Sequence, residues 1–105
     1  MQDKNYILQL IKKSVAETAS GATVILYGSY ARGDYRPDSD IDLLVLIDAD
    51  KVTIDDRKKI PSPLYRIELE IGIIISSNFY AKNTWETRHR ITPFYENVTR
   101  EGIVL

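Results

Sequence analysis

Apolar residues recur at intervals of three and four near the amino terminus: Tyr6, Ile7, Leu10, Ile11 and Val15, with Lys12, Lys13 and Glu17 on other faces. That spacing predicts a helix from Asp3 to about Thr18, stopped at Gly21. The pattern then changes. Thr23 to Tyr27 (TVILY) is apolar and β-branched, which predicts a buried strand ended by Gly28-Ser29. A short helical turn is expected over Tyr30 to Arg32, followed by a loop from Gly33 to Ser39 (GDYRPDS). Asp40 to Ile47 (DIDLLVLI) reads as a second strand, charged at its start and apolar after it. Thr53 to Ile60 predicts a short helix with Asp55 and Asp56 in its first turn, and Pro61 and Pro63 read as breaks in the chain. Arg66 to Ser76 (RIELEIGIIIS) alternates polar and apolar residues before turning continuously apolar, and is expected to be a third strand. The stretch from Asn78 to Leu105 carries one expected helix around Trp85 and another over Tyr95 to Glu101, with Pro93 between them and Gly102 as a stop.

The order α-β-α-β-α-β-α indicates an α/β (α+β) sandwich, in which helices cover a small mixed sheet of three or more strands. The link between the first two strands is too irregular for a crossover helix, so an all-parallel sheet is not expected. A length of 105 residues suits one compact domain, spanning 1–105, and leaves little material for a deep pocket. A partner protein is therefore expected to complete the site. No segment approaches the roughly 20 apolar residues of a membrane helix, and MQDKNYILQL has no apolar core of a secretory signal.

Charge and cysteine content narrow the chemistry. The 14 basic and 15 acidic residues give a net charge of -1, which disfavours binding to long nucleic acid. One small triphosphate can still be recognised if a metal supplies positive charge. There are no cysteines, so disulfides, thiolate metal sites and a cysteine nucleophile are excluded, and a reducing, cytoplasmic location fits.

The informative stretch is GSYARGDYRPDSDID, Gly28 to Asp42. Gly28-Ser29 follows a strand and precedes a helical turn. Glycine permits close approach of backbone to a ligand, and free amides with a serine hydroxyl suit a phosphate oxygen. In isolation, a tight turn capped by Ser29 accounts for the pair as well. Asp40 and Asp42 alternate in a strand and so share a face, while Ile41 and Leu43 point to the core. Two neighbouring carboxylates repel, and a divalent cation relieves the repulsion; Mg²⁺ is the natural candidate. Glu68 and Glu70 are expected on the polar face of the third strand, with Glu70 preferred as a third carboxylate and Glu68 as the alternative. Together these features describe a two-metal phosphoryl-transfer site, in which Asp40, Asp42 and Glu70 hold the ions and no protein nucleophile is needed.

The same residues carry a resemblance. Gly28-Ser29, ten residues from Tyr30 to Ser39, then Asp40-Ile41-Asp42 is similar to the signature of the DNA polymerase β-like nucleotidyltransferase superfamily. GSYARGDYRPDSDIDLLVL and the ending NVTREGIVL most resemble the minimal nucleotidyltransferases (MNT proteins) of bacteria and archaea. The resemblance implies a mixed sheet with helices packed on it, metal binding by Asp40 and Asp42, a third carboxylate on the last strand, and triphosphate contacts from Gly28 and Ser29. It also implies transfer of a nucleoside monophosphate, AMP from ATP, and a small helical HEPN protein as partner in a toxin–antitoxin pair. Competing readings are an antitoxin that neutralises its partner by contact alone, and a subunit acting on a small-molecule acceptor.

Several further residues have simple structural roles beside functional ones. Arg32 lies one turn past Ser29, where it can meet a phosphate or pair with Asp34 or Asp38. Arg36 lies near the same site. Ser39 joins the nucleotide-binding set, although ordering of the loop is its simpler role. Tyr27 and Tyr30 can stack on a base or simply pack. Trp85 reads as core or interface, and His89 as a surface or partner contact rather than a general base.

Overall fold

The computed structural model describes residues 3–105; Met1 and Gln2, the first two residues of MQDKNYILQL, lie outside the described residues. The elements are α1 (Lys4–Thr18), β1 (Thr23–Tyr27), α2 (Ser29–Arg32), β2 (Ile41–Ile47), α3 (Ile54–Lys59), α4 (Pro61–Ile71), β3 (Ile75–Ala81), α5 (Lys82–Thr87), α6 (Pro93–Glu101) and β4 (Ile103–Val104). The strands form one sheet in the order β3-β2-β1-β4. β1 pairs antiparallel with β2 and β4, whereas β2 and β3 are parallel. The mixed sheet expected from the chain pattern is present. Its parallel pair is joined by the α3–α4 crossover, because parallel neighbours need a connection of a dozen or more residues.

Both faces of β2 are covered, which is why IDLLVLI is almost continuously apolar. Ile41, Leu43, Val45 and Ile47 face α1, α4 and the residue between α3 and α4, where Ile7, Ile11, Val15, Ile60 and Leu64 are buried. Leu44 and Leu46 face the opposite way, onto Trp85 and Val98 of α5 and α6. Asp42 belongs by alternation to this second face and sits half-buried at the start of the strand.

The third strand lies elsewhere than the sequence pattern suggests. Arg66 to Ile71 continues α4, and β3 begins only at Ile75. Ile60, Leu64, Ile67 and Ile71 are spaced by four, three and four, and they form the inward stripe of a helix. Leu69 is largely exposed and merely imitates strand alternation. Pro61 and Pro63 do not break the chain. They occupy the first turn of α4, where a missing amide costs nothing. Gly72 ends that helix with φ 74, a conformation that costs other residues about 1 kcal/mol or more. A side chain there would meet no atom within 4 Å. Gly72→Ala is therefore expected to lower stability by about 1 kcal/mol through backbone conformation alone, as read by urea unfolding.

Candidate active site

β1 delivers the chain to Gly28, whose φ of 75 and ψ of -157 fall where glycine is at ease and other residues are strained. A second constraint applies. Tyr27 pairs with Asp42 across β1 and β2, and a Cβ on Gly28 would collide with Asp42 Oδ2. The glycine is required because a carboxylate lies against its Cα.

α2 begins directly after it. The amides of Ala31 and Arg32 both donate to Gly28 O at 3.1 Å, and Gly33 N donates to Ser29 O at 2.9 Å. Ser29 and Tyr30, in the first turn, have amides that the helix cannot satisfy. The loop that follows is closed by Ser39: Arg36 N donates to Ser39 Oγ at 2.8 Å, and Ser39 N donates to Arg36 O at 3.0 Å. This turn feeds Asp40 into β2, where Ile41 N donates to Ile74 O at 2.8 Å.

Asp40 is exposed, and Asp42 is half-buried two residues further on. Burial raises the Asp42 carboxyl above its ordinary pKa, the negative charge of Asp40 raises it further, and Glu101 adds to the effect; only Arg32 acts the other way. The site thus holds more negative than positive charge.

Arg32 is bound on two sides. Its Nε donates to Asp34 Oδ2 at 3.2 Å, and its Nη1 donates to Glu101 Oε2 at 3.1 Å and Oε1 at 3.3 Å. Glu101 Oε1 also accepts Gly28 N–H at 3.2 Å. Glu101 escapes reasoning from sequence, since nothing in the spacing of the Gly28–Asp42 window refers to a residue so distant along the chain.

Residues 8–93 match the nucleotidyltransferase domain family. The chain belongs to that family. Over 80 residues, this nucleotidyltransferase domain is 44% identical to a Methanocaldococcus jannaschii protein named "Putative protein adenylyltransferase MJ0141", covering 76% of this chain and 74% of that protein. A second protein of the same organism, "Putative protein adenylyltransferase MJ0604", is 40% identical over 85 residues, covering 78% and 75%. Among solved structures, one described as a toxin–antitoxin with AMP-PNP shares the fold, with a TM-score of 0.66 at 20% identity, over 91% of this chain and 69% of that one.

The remaining expected site residues of this nucleotidyltransferase domain fall in different places. Glu68 and Glu70 lie on α4 rather than on a strand, which corrects the placement expected from sequence. Glu68 Oε1 accepts Ile75 N–H at 2.8 Å and ties α4 to the start of β3. Glu70 is exposed. Among the described residues, no group of three or more His, Asp or Glu is placed to share a metal ion. β3 (ISSNFYA) has no carboxylate; it sets Ser76 opposite Asp42 and Asn78 opposite Leu44.

The aromatic residues pack. Tyr27 meets Phe94 edge-on at 5.3 Å, and its hydroxyl accepts from Asn78 Nδ2 at 3.0 Å. Tyr30 stacks on Tyr35 at 4.1 Å, and Lys4 Nζ donates to Tyr30 O at 2.8 Å. His89 packs against the ring of Tyr80 at 4.3 Å. Among the described residues no helix is long and apolar enough to cross a membrane.

Proposed function

We propose that this nucleotidyltransferase domain transfers AMP from ATP to an acceptor hydroxyl, with Asp40 and Asp42 as metal ligands, and that it serves as the MNT antitoxin of a HEPN/MNT pair in the cytoplasm. One observation carries the chemistry: the Gly28 turn and the Asp42 carboxylate are packed into a single surface, so close that a methyl group cannot be inserted between them. The adenylyl group and the protein acceptor are supported by the names of the two archaeal relatives. The toxin–antitoxin setting is supported by the structural neighbour with AMP-PNP.

The donor set fits a hard divalent cation. Two carboxylates lie close enough for one to act on the other, and the half-buried one is held above its ordinary pKa by burial and by its neighbour. With only two carboxylates from the chain, the other ligands would be triphosphate oxygens and water, the usual company of Mg²⁺. When bound, Mg²⁺, as one ion or two, neutralises charge on the triphosphate and on the leaving pyrophosphate.

The chain's own residues position the rest. The first-turn amides and the hydroxyl of Ser29 face phosphate oxygens, and Arg32 contributes a fixed positive charge. The acceptor oxygen forms a bond to the α-phosphorus, the bond from that phosphorus to the bridging oxygen of the β-phosphate breaks, and pyrophosphate departs. The hydroxyl proton passes to solvent.

The choice of label tests this reaction directly. Incubation with Mg²⁺ and a co-purified helical partner is expected to move label from α-labelled ATP onto the partner, to move none from γ-labelled ATP, and to stop on addition of EDTA. One observation favours a second reading: β3 offers Ser76 where a third carboxylate would be expected. Partner neutralisation without any α-label transfer would establish contact-only inhibition.

A further inference from the structure

We propose that Glu101 is a positioning residue of the transfer reaction, holding the Gly28 amide and the Arg32 guanidinium so that Arg32 presents one defined edge to the triphosphate. The proposal rests on the nucleotide-transfer reading of the Gly28–Asp42 surface.

The carboxylate is anchored from both sides. It ends α6, and the next residue, Gly102, has no space for a Cβ between Val98 O and Ile25 Cγ2. The chain then turns into β4, which pairs Val104 with Ile25 and Ile103 with Leu26 of β1. β1 is the strand that leads into Gly28. Glu101 is thereby tied to the same strand whose end it bonds, and its side chain is only 16% exposed.

Its bonds are specific. One oxygen takes the Gly28 amide, and both oxygens take Arg32 Nη1. Asp34 takes Nε. Among the described residues Nη2 is left without a protein partner, and the Arg32 side chain is 45% exposed, so a ligand can reach that edge. An isolated surface ion pair contributes little because two flexible chains must be held together. Here the acceptor is already fixed by the fold and also carries a backbone amide, so the guanidinium loses little further freedom on meeting a phosphate.

A contrary arrangement is chemically sensible: a carboxylate holding an amide and an arginine resembles a phosphate and can compete with one. The two ideas differ in sign. In the full chain, Glu101→Gln is expected to weaken Mg·AMP-PNP binding, measured by calorimetry, and to raise the KM for MgATP, each by about three- to tenfold. kcat is expected to stay within about twofold, as for an interaction lost equally from ground and transition states. Glu101→Asp, which keeps the charge, is expected to recover part of the loss. In an Arg32→Ala background, Glu101→Gln is expected to add nothing further.

Unchanged or tighter binding by Glu101→Gln protein of normal melting temperature overturns the proposal, and so does additivity with Arg32→Ala. A wild-type chain that binds nucleotide, with the loss expected for Glu101→Gln, but transfers none contradicts the transfer reading and leaves in place only the positioning of Arg32 for the triphosphate. A wild-type chain that binds no nucleotide contradicts both.

Discussion

Asp42→Asn is expected to lower nucleotide transfer at least a hundredfold while raising the melting temperature of the metal-free protein. The carboxylate is held above its ordinary pKa first by burial and then by Asp40. A carboxyl whose folded pKa exceeds its unfolded value makes the folded state less stable at any pH where it is ionised. That loss is present above the folded pKa and disappears as the pH falls below the unfolded one. Asparagine is never ionised. The variant is therefore expected to melt above wild type at neutral pH, and the difference should close in acid. Each kcal/mol of relieved repulsion raises the melting temperature of a domain this size by about 4–8 °C. Mg²⁺ with a non-hydrolysable nucleotide should close the gap from the other direction, by stabilising wild type alone. If the variant no longer holds the metal, the positive charge that would stabilise the reacting phosphates is lost, which typically costs on the order of a hundred- to a thousandfold in rate. Calorimetric melting at several pH values, beside the α-label assay, checks both halves. A variant less stable than wild type at neutral pH contradicts the electrostatic reading of the site.

Gly28→Ala is the second large effect. The backbone there has φ 75 and ψ -157, and holding another residue in such a region costs on the order of 1–3 kcal/mol. The new methyl group also meets Asp42 Oδ2, so either the turn or the carboxylate must move, and Ser29 is displaced relative to Asp40 and Asp42. Transfer is expected to fall at least a hundredfold, as for other losses of preorganised charge. The two causes can be separated. In an Asp42→Ala background the steric part disappears, so the destabilisation by Gly28→Ala, measured by urea unfolding, should shrink to the backbone part. Equal destabilisation in both backgrounds would show that the close contact between glycine and carboxylate is of no energetic consequence.

These residues are legible in the sequence because the signals are local. TVILY and IDLLVLI are largely apolar runs, and the stretch from the end of the first to the start of the second carries both Gly28-Ser29 and Asp40-Ile41-Asp42, so the turn and the carboxylate pair must lie at one end of neighbouring strands. Where signals are non-local or ambiguous, reading from sequence fails. Arg66 to Ile71 alternates by coincidence, because Leu69 is exposed while Ile67 and Ile71 face inward on a helix. The true third strand, ISSNFYA, is polar on the face near the site and looks like a loop. Reading its segment as a strand places Glu70 at the sheet, whereas it lies on α4 and is exposed. β4 is two residues long and exists only through its pairing with β1. Glu101 depends on the same pairing, so its position beside Gly28 becomes visible only in three dimensions.

The most direct measurement is Mn²⁺ binding by electron paramagnetic resonance in the presence of AMP-PNP. The wild-type chain is expected to bind the Mn²⁺–nucleotide pair together, and Asp40→Asn/Asp42→Asn protein, folded and at least as stable, is expected to lose that binding. Undiminished Mn²⁺–nucleotide binding by the double variant would contradict the assignment of this carboxylate pair as the site where metal and triphosphate meet.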